Sequence, residues 1–88
     1  MEFKDFLTEL VKKEMEVLGK DKVTPFLSKC GIHLDSSGKV IAAPPGDKIS
    51  VTLKFISELC TINPLAKVPA RMVCSAYRKF DPEFKITL

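Results

Sequence analysis

Three thiols and one imidazole are the side chains here best equipped for chemistry: Cys30, Cys60, Cys74 and His33. Cys30-Gly31-Ile32-His33 has the short spacing of half a zinc site, which Cys60 and Cys74 would have to complete. Thirteen residues lie between those two, which fall on two helix-like segments, unlike the close second pair of a zinc knuckle. The expectation is therefore no metal and no cofactor, with Cys30 and Cys60 as small buried thiols. His33 as base to a cysteine nucleophile would need a third, orienting group, and none is supplied. It is expected to face solvent on a hairpin, and no catalytic residue is assigned.

Two phosphate- or cation-binding patterns fail on spacing. Ser37-Gly38-Lys39 looks like the end of a phosphate-binding loop, but six residues separate Gly31 from Gly38 where about four are needed. Val40 also occupies the position of the magnesium-holding hydroxyl. Asp35-Ser36-Ser37-Gly38 lacks the spaced carboxylates and closing Glu of a calcium loop. Both read as an ordinary turn.

Two anomalies remain. At about 100° per residue, Glu14 falls in the middle of the apolar arc of Leu7, Leu10, Val11 and Leu18. A carboxylate there either tilts to solvent near the helix end or pairs with a cation such as Arg71 or Arg78, because an unpaired buried charge is costly. Tilting is the expected outcome; a tuned acid or a partner anchor is the functional reading. The second anomaly is a basic stripe. Lys67, Arg71 and Arg78 fall within about 40° of one another on a helix, a pattern suited to a protein partner or an anion. Cys74 lies beside that stripe. If exposed, its neighbouring guanidiniums would favour the thiolate and make it the most reactive of the three.

The elements that must position these groups are mostly helical. Residues 3–18 alternate apolar and charged faces with helical period, and Gly19 is a natural stop. Residues 21–30 form a second helix, capped by Asp21, or by Thr24 with Pro25 at the first helical position. Residues 32–42 carry a hairpin signature turning at Gly38. Pro44-Pro45-Gly46 breaks the chain, Asp47 caps a third helix over 48–60, and Asn63-Pro64 opens a fourth running to about Phe80. Pro69 is expected to kink that helix or delay its start. Residues 81–88 alternate apolar and polar, as an added strand or a frayed or extended tail. Leu7, Leu10, Val11, Phe26, Leu27, Val40, Leu53, Ile56, Leu59, Val68, Met72 and Val73 are the expected core.

Composition agrees with that architecture. Apolar residues are 45% and charged residues 28% of 88, the mixture of a folded domain rather than a disordered segment. The net charge of +3 arises wholly from residues 45–88, since residues 1–44 balance. Three cysteines are an odd set, which favours free thiols in a reducing cytoplasm over a disulfide framework. No apolar run approaches the ~20 residues of a membrane span, and MEFKDF does not read as a leader peptide.

The fold class expected is mainly α, a small single domain over 1–88 with four helices and a short β-hairpin between the second and third. The function expected is a non-catalytic interaction or regulatory module, binding a protein or self-associating as a homodimer. The alternative is nucleic-acid binding, with residues 21–42 as the helix and wing of a winged-helix-like element and the fourth helix supplying cations. That helix carries Lys22 and Lys29 but no Arg, Asn or Gln to read base edges.

Overall fold

A computed structural model describes residues 2–88. Among them run α1 (Phe3–Leu18), α2 (Lys20–Lys29), β1 (His33–Leu34), β2 (Val40–Ala42), α3 (Lys48–Ile62), a 3-10 turn (Pro64–Ala66) and α4 (Lys67–Tyr77). The mainly α class and the antiparallel hairpin between the second and third helices are as expected. The radius of gyration is 11.7 Å, against about 12 Å for a compact chain of this length.

Local signals set most boundaries. Gly19 has φ +96°, and its N–H donates to the Met15 carbonyl at 2.9 Å, ending α1. Its own carbonyl then accepts from Lys22 and Val23, so the same residue opens α2. This replaces the expected Asp21 or Thr24 cap. Thr24 instead donates its hydroxyl to the Lys20 carbonyl at 2.7 Å, and Pro25 sits inside the helix on its exposed side, where one missing N–H bond is tolerated. At the other end, the Ile32 N–H bonds to Leu27 and the Gly31 N–H to Ser28, the paired closure that a positive-φ glycine permits. A Cβ on Gly31 would lie 3.3 Å from Pro44, so the hairpin exit packs directly on this cap.

Asp47 accepts from the Ser50 N–H at 3.0 Å, and Asn63 from the Leu65 N–H at 3.0 Å, both as read from sequence. Pro64 and Pro69 divide the last helical segment as foreseen: a 3-10 turn comes first, and the α-helix starts at Lys67. The hairpin is tied to α1 by one hydroxyl. Thr8 Oγ1 donates to the Lys4 carbonyl at 2.8 Å and accepts from the Val40 N–H at 2.9 Å. Asp35 holds the tip, accepting from Ser37 and Lys39, whose bonds keep its carboxyl below the usual range.

The core lies between α1, α3 and α4, closed by α2 and the hairpin. Leu7, Leu10, Val11, Leu27, Val40, Ile56 and Leu59 are buried as expected, while Phe26, Leu53 and Val73 are half-buried. Val68 and Met72 are not core: they are 52% and 68% exposed. The helix is turned so that Ala66, Pro69, Ala70, Cys74 and Tyr77 face inward. Small Ala and Cys side chains let α4 approach closely, and burial of Tyr77 joins an aromatic cluster with Phe3, Phe6 and Phe84. Ring centroids of Tyr77 lie 4.6 Å from Phe6 and 4.9 Å from Phe84, within the range where aromatic pairs add to simple burial.

Residues 81–88 form no strand on the hairpin and are not splayed into solvent. Phe84 is buried in the aromatic cluster, Ile86 and Leu88 are half-buried, and Arg71 Nη2 donates to the Leu88 carbonyl at 2.9 Å.

Candidate functional site

The face formed by α1 and α4 holds the molecule's anomalies. The inward turn of α4 leaves its larger apolar side chains outside: Val68, Met72 and, at its flanks, Leu65 and Phe80. Val17 of α1 joins them, half exposed, across a groove of about 530 Å³. Pro69, Val73, Ala76 and Tyr77 form the α4 wall, while Glu9, Lys13, Glu16 and Val17 form the α1 wall. Lys13 is engaged on its own helix by Glu16 at 3.6 Å.

Lys67, Arg71 and Arg78 are all exposed and lie on one edge of α4. By helical angle they stand on the flank of the buried arc away from the groove, next to Cys74. No carboxylate pairs with any of the three among the described residues. The sequence reading therefore located a real cationic edge, but the apolar surface beside it was assigned to the core.

Cys74 does not meet the condition for reactivity. It is 5% exposed, and burial first, then the nearby charge of Glu14, pushes its thiol up to about 11. The arginines flank it in sequence but not as a stabilising field, because they point to solvent while the thiol points inward. Cys30 is buried too and its pKa is raised chiefly by burial, whereas Cys60 is half-buried.

Glu14 is fully buried, and neither carboxylate oxygen has a hydrogen-bond partner among the described residues. The expected tilt to solvent does not occur: α1 has the expected bounds and keeps Glu14 on its central buried arc, beside Cys74 of α4. Neither Arg71 nor Arg78 reaches it. Burial pushes its carboxyl up to about 7, so near neutrality a large share of the molecules hold it uncharged.

A larger, open cleft of about 990 Å³ lies between α1, α2 and the hairpin tip. Lys12, Lys20 and Lys39 line it together with Asp5, Glu16 and Asp35, so it presents no single sign of charge. His33 is exposed at its edge. Among the described residues no three His, Cys, Asp or Glu side chains gather as a metal site. No described helix is long and apolar enough to cross a membrane.

The hairpin tip and the cationic edge do not form one surface. The hairpin meets α1 through Thr8, and α4 meets α1 through the flank carrying Lys13 and Val17, more than about 100° around the same helix. No family model matches this chain, and neither a curated protein nor a solved structure matches it.

Proposed function

We propose that the chain is a non-catalytic interaction module that receives a protein partner on the α1–α4 face. The observation that carries this reading is the exposed apolar strip of Val68 and Met72, continuous with a groove whose α1 wall ends in exposed Val17. Scattered apolar side chains on a surface need no explanation, but a contiguous strip beside a groove marks a site of association. The rest of the molecule supports the same reading. Two of the three thiols are buried with raised pKa, and the only imidazole stands exposed on β1. Nucleophilic catalysis by a thiol would need one activated beside that imidazole.

The test is a photo-crosslinking amino acid placed at position 72, compared with one at position 41, where Ile41 is 52% exposed on the hairpin. A discrete adduct at 72 and none at 41, with its other member identified by mass spectrometry, is the expected result. Equal adducts at both positions, or none at either, would sink the reading.

A second reading rests on the exposed cations Lys67, Arg71 and Arg78, none of them paired with an Asp or Glu carboxylate among the described residues, which suit phosphates. Amide shifts would be followed during titration with short duplex DNA at low and moderate salt. Salt-sensitive shifts at those three residues would put nucleic-acid binding first.

A further inference from the structure

The seam between α1 and α4 closes over a carboxyl group that nothing there can receive as an anion. Glu14 is fully buried, and among the described residues neither of its oxygens has a hydrogen-bond partner. Cys74 of α4 lies beside it, close enough for the two charges to interact. Tyr77, the other titratable group buried on α4, stands one turn further along, against Phe6. Lys67, Arg71 and Arg78 of α4 are exposed, as are Lys20, Asp21, Lys22 and Lys29 of α2, which also packs on α1. On α1 itself, Lys13 and Glu16 pair at the surface. The 3-10 turn and β2, the remaining elements against α1, carry no titratable side chain. An anion at position 14 is therefore strongly disfavoured while the seam is closed.

The helix on the other side is lightly attached. Of its buried residues, Pro69, Ala70 and Cys74 are small, and only Tyr77 brings a large side chain inward. Small side chains remove little apolar area from water. The chain changes from 3-10 to α bonding between Ala66 and Lys67, a junction about which α4 can pivot. The tail is tied to α4 by Arg71 Nη2, which donates to the Leu88 carbonyl at 2.9 Å, so the two move together.

We propose that this seam is a proton-gated joint: a protonated Glu14 keeps α4 closed on α1, and loss of that proton to solvent frees α4 and the tail together while the other elements stay folded. Opening gives the carboxylate water, and a lightly held element opens more readily than the whole fold. The sign follows from a carboxyl that titrates near 7 when closed and at an ordinary 4.5 when open. Closure is strongest below about 4.5, weakens as pH rises to about 7 and then levels. Release also parts the two walls of the groove. Where the docking role proposed above holds, the same proton controls occupancy of that site; the release itself does not rest on that role.

Maleimide labelling of Cys74 reads the opening. Its rate in the native chain divided by its rate in denaturant at the same pH gives an opening constant from which thiol ionisation cancels. From about pH 5 to about pH 8 that constant should rise about seventyfold, for carboxyl values of 4.5 open and about 7 closed. At the upper end it should exceed the global unfolding constant from chemical denaturation by at least about tenfold. Glu14→Gln and Glu14→Met, each checked for folding by circular dichroism, should leave it level with pH.

A constant equal to that of global unfolding at every pH would mean that the seam opens only with the whole fold, and overturns the joint. So does a constant level with pH in the unaltered chain, or one that rises as steeply in both variants. The crosslink at position 72 bears on the docking role alone, so either idea can fail without the other.

Discussion

Glu14 and Cys74 share the dry seam between α1 and α4, and the charge of the carboxylate raises the pKa of the thiol. The same lack of solvent raises both pKa values, and among the described residues neither group has a cation to offset ionisation. The seam under the apolar groove is therefore sensitive to the ionisation of one side chain.

That sensitivity has a defined sign. The folded carboxyl titrates near 7 against an ordinary 4.5, so the folded state takes up the proton more readily. Stability is fully present below about 4.5 and is lost as pH rises to about 7, up to about 3 kcal/mol in all. Glu14→Gln should remove that slope. Denaturant midpoints from pH 4 to about 8 provide the check; parallel profiles for both proteins would refute it.

Thiol labelling should follow burial rather than neighbouring charge. Cys60 is half-buried, whereas Cys30 and Cys74 are buried with raised pKa. Peptide mapping after brief maleimide treatment should find Cys60 modified first, and all three modified alike in denaturant. Cys74 labelled first would mean that α4 opens readily.

Much of the fold was readable because its signals are local. Asp47, Asn63 and Gly31 each act within a few residues, so their roles follow from residue type and position. The turn of α4 about its axis is different. Two arcs compete there, Val68 with Met72 against Ala70 with Cys74 and Tyr77, and hydropathy favours the first. The choice goes to the second because small side chains permit close approach and Tyr77 finds rings on α1 and on the tail, which no local rule contains. Glu14 was placed on the right arc, but its burial depends on how closely α4 packs over that arc, which no local signal states. Phe84 gave only the weak signal of an apolar residue after a Pro.

That rotation of α4 is testable by a pair of substitutions. Phe84→Ala, which empties the aromatic cluster, should cost about 3–5 kcal/mol. Met72→Ser should change the monomer's stability by no more than about 0.5 kcal/mol, because the side chain is 68% exposed. Chemical denaturation at low protein concentration measures both; equal losses would return Met72 to the core.

Gly19 joins two helices with one residue at φ +96° and ψ 142°, a region that glycine occupies almost alone. No atom crowds its missing side chain. Gly19→Ala should therefore destabilise through backbone strain alone, by about 1–3 kcal/mol, with the fold retained. An unchanged denaturation midpoint would show that the joint relaxes.

The aromatic cluster also has an optical consequence. The chain contains no Trp, and Tyr77 is its one tyrosine. That ring lies between Phe6 and Phe84 and forms part of the groove wall. Its emission and near-ultraviolet dichroism are thus a built-in gauge of a single place, where α1, α4 and the tail meet. Occupation of the groove, ionisation of Glu14 and release of the tail would each change the surroundings of the same chromophore, with no label attached.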